Sequence, residues 1–186
     1  MSSVTQNDSP GITRPQENEI ASYAKIYVDC VPPGDVVQTL TDQIGKTRAL
    51  IQSMGDRGGD LSYAPAKWTV KQSIGHLIDC ERIFSYRALR IARGDSTPLP
   101  GFEQNDYVPT AESEKRTLSD LLQELTVVRQ STLALVRGLP AEAWSRRGSV
   151  SNFSVTVRGI VFTAAGHELH HYRIFQERYL PAIQTA

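Results

Sequence analysis

The sequence predicts an all-α chain: a four-helix bundle with a long crossover loop between the second and third helices. Three observations carry this. Four amphipathic segments of roughly twenty residues keep apolar positions three and four apart, helix-capping residues stand at the starts of three of them, and there is little strand pattern and no internal repeat. At 186 residues the chain is long enough for one domain that buries its core without disulfide staples.

Residues 1–30 read as an N-terminal arm ahead of a bundle domain over 31–186. The start of the arm is polar and broken by Pro10, Gly11 and Pro15, so it either straps the bundle or hangs free. The first helix runs from Gly34 to about Met54 on the stripe Val37, Leu40, Ile44 and Ile51, with GDRGG as its terminating turn. Thr69 and Gln72 form a capping box for the second helix, which runs to Arg93 and spans roughly 36 Å at 1.5 Å per residue. The stretch from Gly94 to Ser113 carries three prolines and two glycines, and reads as an ordered crossover loop rather than a helix. Thr117 with Asp120 caps the third helix, whose stripe Leu118, Leu121, Leu125, Val128, Thr132 and Leu135 ends at Gly138 and Pro140. A turn over Pro140–Trp144 and a polar loop RRGSVSNFS lead to the fourth helix, capped near Ser154 or Thr156 and ending about Tyr179, before Pro181.

Composition excludes several function classes. Lysine plus arginine and aspartate plus glutamate each total 20, and no stretch is basic enough to track phosphates, so no nucleic-acid partner is expected. No apolar run reaches the ~18 residues of a membrane span, and the polar start lacks a signal-peptide core. The two cysteines, Cys30 and Cys80, read as reduced thiols. These features together predict a cytoplasmic protein with no membrane partner.

Chemistry concentrates in the histidines. His167 and His171 are four residues apart in GHELHHYRIF, which puts them on one helix face a turn apart, on the stripe Ile160, Ala164, His167, His171, Ile174. His76, in GHLIDCER, lies on the second helix on the face it shares with Ile83 and supplies a third imidazole. A single core histidine is ordinarily satisfied by a carbonyl or carboxylate, but three converging imidazoles are costly to desolvate without a cation. Three histidine ligands leave a coordination position open, as catalytic metal sites require. His170 is rotated by roughly 60° from His167 and is treated as a neighbour.

HELHH also matches the HExxH motif of zinc proteases. That reading fails because Ile174 and Glu177 occupy the downstream glycine and histidine positions of its metzincin extension, and only fifteen residues follow His171. Glu168 remains a candidate catalytic acid or base, set against a plain helix-face charge. Cys80 is either a further ligand or a small buried apolar residue, and Asp79 or Glu81 either orients a histidine or pairs with a surface arginine. Trp68 and Trp144 read as packing anchors at helix ends.

The segments WTVKQSIGHLIDCERIFSYRALRIARGDSTPLPGF and TVRGIVFTAAGHELHHYRIFQERY resemble the DinB-like family of metal-binding four-helix bundles, over about residues 34–180. The resemblance implies a divalent metal ion, zinc or nickel foremost, on His76, His167 and His171, and a homodimer. Related branches include bacillithiol S-transferases and mycothiol-dependent maleylpyruvate isomerase. The expectation is therefore a metal-dependent enzyme acting on a small-molecule substrate, with a low-molecular-weight thiol as co-substrate in an S-transferase. A hydrolase with the same ligands, or a non-catalytic metal-binding bundle, are the alternatives. Arg87, Phe102 and Tyr107 are the candidate substrate-binding residues, with Glu103, Asp106 and Arg90 as weaker neighbours; an arginine here suits a carboxylate.

Overall fold

The computed structural model describes residues 12–184, so the first eleven residues of the arm lie outside it. Along the chain run α1 (Lys25–Val28), α2 (Val36–Ser53), α3 (Gly55–Gly59), α4 (Val70–Ala92), α5 (Gln104–Ala111), α6 (Leu118–Arg137), a hairpin of β1 (Arg147–Val150) and β2 (Phe153–Thr156), α7 (Val157–Ile174) and α8 (Leu180–Gln184). The four long helices, α2, α4, α6 and α7, form the bundle. Each starts on a side-chain cap that accepts an otherwise orphaned backbone N–H: Asp35 from Val37, Thr69 from Gln72, Thr117 from Asp120 and Thr156 from Gly159. At Thr69 the capping box is complete, because the Gln72 side chain accepts the Thr69 N–H in return at 2.9 Å.

Two apolar clusters fix the helix directions. One gathers Val36 and Leu40 from the start of α2, Ile91 from the end of α4, Val136 from the end of α6 and Val157 from the start of α7. The other gathers Ile51, Ile74, Leu121 and Phe175 from the opposite ends. Thus α2 and α7 run one way while α4 and α6 run the other. Helix α2 packs on α6 and α7, and α4 packs on the same two, so the consecutive helices α2 and α4 occupy diagonal corners.

Parallel α4 and α6 require a connection that travels back along a 23-residue helix, roughly 34 Å at 1.5 Å per residue. Leu99 bridges to Val150 beside the end of α4, α5 packs along α4, and Ser113 reaches its first turns. There Gly75 permits the close approach, since an added Cβ would meet the Ser113 hydroxyl and lie 3.0 Å from its Cβ. This connection is not wholly a loop as the sequence predicts. Glu103 caps α5 by accepting the Asn105 N–H at 2.9 Å and Val108 anchors it in the interior, although Pro109 within the helix withholds one backbone N–H from it.

Three further elements differ from the sequence reading. The GDRGG segment is the short helix α3, with Gly58 and Gly59 buried. The polar loop is the β1–β2 hairpin, closed by Ser151 and Asn152 at φ of 50° and 68°, a two-residue turn with both central residues left-handed. The last helix does not stop before Pro181: a π-helical stretch over Phe175–Tyr179 precedes α8, which contains the proline. The missing N–H of Pro181 interrupts α-helical pairing, and the wider turn just before it redistributes the carbonyls.

From residue 12 onward the arm is a strap laid along α7. Ile20, Ala21, Ala24, Val28 and Val31 are buried in the first apolar cluster. Its backbone approaches so closely that a Cβ on Gly159 would strike the Glu19 carbonyl and one on Gly166 the Tyr27 carbonyl. Arg158 of α7 reaches Glu19 at 2.7 Å and Thr13 at 2.9 Å, which fastens the strap to the bundle, while Arg14 donates to the Val28 carbonyl at 2.7 Å within the strap itself. Among the described residues no helix is long and apolar enough to cross a membrane.

Candidate metal centre

Between the two apolar clusters lies a polar layer with two parts. The first is the histidine group. His76 projects from α4, and His167 and His171 from successive turns of α7, so that one ring nitrogen of each lies within 4.8 Å of the others. His76 Nε2 and His167 Nε2 are 3.1 Å apart. Aromatic rings crowd the group: Trp68 at 4.8 Å from His76, Tyr27 at 5.1 Å and Phe84 at 5.7 Å from His167, centroid to centroid. His76 and His167 are buried and His171 is partly so.

This setting keeps the imidazoles neutral. Burial pushes His76 down to about 4 and, with repulsion from His76 and His170, His171 down to about 3; His167 is held well below its ordinary value, mainly by burial. Neutral imidazole is the form that binds metal. Four tetrahedral ligands at 2.0–2.1 Å from an ion are roughly 3.3 Å from one another, and the His76–His167 separation already matches. The residues present therefore fit a divalent ion with nitrogen preference, held by His76, His167 and His171.

The second part is a buried ion cluster that the sequence reading misses. Arg129, on α6, donates from Nε and Nη2 to the two oxygens of Glu81 on α4 at 2.6 and 2.8 Å, to Glu168 Oε2 on α7 at 2.6 Å, and to the Leu40 carbonyl on α2 at 2.8 Å. One guanidinium thus ties together all four helices. Burial opposes its charge, but the Glu168 and Glu81 carboxylates outweigh that and raise its pKa. A signal was present in the sequence: Arg129 is a charge placed four residues after Leu125, on the apolar face of α6.

That cluster accounts for Glu168. Its Oε1 accepts from Thr47 at 2.6 Å, and its Oε2 accepts from Arg129 and Gln43, so both oxygens are engaged away from the histidine group. Glu81 is likewise committed to Arg129, and Asp79 lies 3.9 Å from Arg82, so neither orients a histidine. Cys80 Sγ sits 3.5 Å from His76 Nδ1 and is buried, which pushes its thiol up to about 12. It packs beside His76, lines a cavity wall with His167 and lies outside the three-histidine group. His170 packs against Tyr27 and stands outside the three-ligand group.

Two cavities reach the histidines without sharing a lining residue. One, of about 330 Å³, runs from His167 to Arg87 and Phe102, with Tyr23 and Tyr27 of the strap in its wall. The other, of about 250 Å³, reaches His171 past Trp68, Tyr63 and Tyr179. Of the candidate substrate-binding residues, Arg87 and Phe102 thus share the first cavity, their cation and ring 5.6 Å apart. Tyr107 packs on Phe102 at 5.3 Å but lines a separate hollow beside Asp79 and Arg82. The strap tyrosines are additions to the sequence reading, which treats their segment as an appendage.

Comparison with known proteins agrees with this architecture. No curated protein sequence matches the chain significantly. Among solved structures, YfiT from Bacillus subtilis, described as a probable metal-dependent hydrolase with an unusual four-helix bundle topology, aligns with a TM-score of 0.67 at 18% identity. That alignment covers 89% of this chain and 90% of the other, and at such identity it is the fold that is shared. Residues 39–175, from within α2 to just past α7, match the DinB superfamily, and all three clustered histidines fall inside that span. The chain belongs to the DinB superfamily.

Proposed function

We propose that this protein is a divalent-metal-dependent enzyme that transfers a group between two small molecules at the three-histidine site, one of them a low-molecular-weight thiol. The observation that carries this reading is the pair of separate cavities, one ending at His167 and the other at His171. A transferase has to bring two molecules to one centre, and cavities of this size suit small ligands. When bound, the ion supplies positive charge that favours thiolate over thiol, or hydroxide over water.

The remaining work falls to the chain. His76, His167 and His171 offer neutral nitrogens, while the rings of Trp68, Tyr27 and Phe84 give the cluster low-dielectric walls that strengthen its electrostatics. Glu168 holds α7 in place through Arg129, so that both histidines of that helix face His76. We assign it this positioning role instead of the acid–base role. Zinc and nickel both suit the donor set. The reading extends to a cytoplasmic homodimer without a nucleic-acid partner, in line with the family resemblance and the balanced charge.

Hydrolysis is the second reading, favoured by the description of the structurally similar YfiT. The test begins with elemental analysis of tag-free protein beside a His76→Ala/His171→Ala variant. About one ion per chain, lost in the variant, is expected for this ligand set. The loaded enzyme is then assayed for conjugation of cysteine or another small thiol to monochlorobimane, and for thiol-independent cleavage of 4-nitrophenyl acetate. Cleavage without conjugation selects the hydrolase. Absence of metal after reconstitution refutes both.

A further inference from the structure

The cavity beside His167 contains a charge that the protein leaves unanswered. Arg87 is only 5% exposed, on the inward side of α4. Among the described residues its sole hydrogen bond runs from Nη2 to the Pro100 carbonyl at 2.7 Å, and no carboxylate lies within ion-pair distance. The contrast with Arg129, still more deeply buried but gripped by two carboxylates, is sharp. Glu103 lines the same cavity but lies beyond ion-pair distance of Arg87, its Oε1 accepting from the backbone and side chain of Asn105 as the cap of α5. A buried cation without a counter-charge is costly, and burial lowers the Arg87 pKa accordingly.

The walls around it are aromatic. Phe102 lies under the guanidinium, and Phe84, 5.7 Å from His167 ring to ring, shares the cavity lining. Tyr23 and Tyr27 come from the strap, which precedes the span matching the superfamily and is held down by the close approaches at Gly159 and Gly166. A segment outside the family-matched region thus completes this chain's cavity.

We propose that Arg87 is the anchor for a carboxylate on the substrate, and that the substrate is an aryl or similarly flat carboxylate whose other end is directed to the histidine cluster, with Tyr23 and Tyr27 of the strap setting its selectivity. A guanidinium with free N–H groups matches a carboxylate in geometry and charge, and flat aromatic walls favour a flat body. The cavity volume of about 330 Å³ is at the small end for ligand sites. This inference rests on the proposed function only in taking the cavity to be a substrate site.

The test is calorimetric titration of the full-length, metal-loaded protein with phenylacetate and with its neutral analogue phenylacetamide, repeated on EDTA-treated protein and on Arg87→Gln and Arg87→Lys. The acid is expected to bind roughly tenfold more tightly than the amide, with the preference abolished in Arg87→Gln, partly kept in Arg87→Lys and retained after EDTA treatment. Equal binding of acid and amide by wild type, or no binding of the acid, overturns the proposal even if Arg87→Gln does not fold. A preference that survives in Arg87→Gln but vanishes with EDTA places the carboxylate on the metal, which overturns this proposal and leaves the metal-site reading intact. An Arg87-dependent preference in protein that takes up no metal does the reverse.

Discussion

Replacing Arg129 by methionine removes the cation at the centre of the bundle while keeping a side chain of comparable length. The loss is specific: two bonds to Glu81 at 2.6 and 2.8 Å, one to Glu168 at 2.6 Å and one to the Leu40 carbonyl at 2.8 Å. What remains is a pair of carboxylates with side-chain exposures of 7% and 3% and no counter-ion. Breaking a buried ion pair by deleting one partner costs about 3–5 kcal/mol, a large part of a typical folding stability of about 5–15 kcal/mol. For a chain of this size each kcal/mol lowers Tm by about 2–4 °C, so a fall of roughly 6–20 °C is expected. Thermal and urea denaturation of the EDTA-treated protein measure this without a metal contribution. The control is the neutral triple variant Glu81→Gln/Arg129→Met/Glu168→Gln, which should recover much of the loss because no uncompensated charge remains. An Arg129→Met stability within about 1 kcal/mol of wild type would refute the reasoning, since the carboxylates would then have another way to be satisfied.

The other expected outcomes concern the site and the strap. In metal-free protein His76 and His171, pushed down to about 4 and about 3, stay neutral while the unfolded chain takes up protons below about 6.5. Folding stability should therefore fall as pH drops from about 6.5 towards 4, by about 1.4 kcal/mol per pH unit for each such histidine. A Tm series against pH checks it, and an unchanged slope in His76→Ala/His171→Ala would remove the cause assigned here. Gly166→Ala should push the strap from α7, at a cost of about 1–3 kcal/mol, and open the segment around Tyr27 to limited proteolysis; undiminished protease resistance would count against the packing described. Cys80→Ala should retain full metal stoichiometry by elemental analysis, because the thiol lies outside the three-ligand group; loss of metal would make it a ligand.

Some of this molecule is legible from the chain alone. The caps at Thr69, Thr117 and Thr156, the three-four apolar stripes and the His167–His171 spacing are local features, set by helix geometry within a few residues, and the structure contains each of them. Local cues mislead where packing overrides composition. Pro109 and the flanking glycines argue against a helix, yet burial of Val108 against α4 holds α5 in place. RRGSVSNFS looks like a polar loop, yet the left-handed pair Ser151–Asn152 folds it into a hairpin. The direction of a charged side chain is less legible still. Glu168 is adjacent in sequence to a candidate ligand, but one residue along an α-helix is a turn of 100°, and that turn carries its carboxylate to Arg129, Gln43 and Thr47. Likewise, nothing local shows that Arg129 has two buried carboxylate partners and Arg87 none among the described residues, or that tyrosines from the strap complete the cavity at Arg87. Helix periodicity records which residues face inward; which inward faces meet depends on the parallel pairing of α4 with α6 and the diagonal placing of α2 and α4, and these follow from burying the whole chain at once.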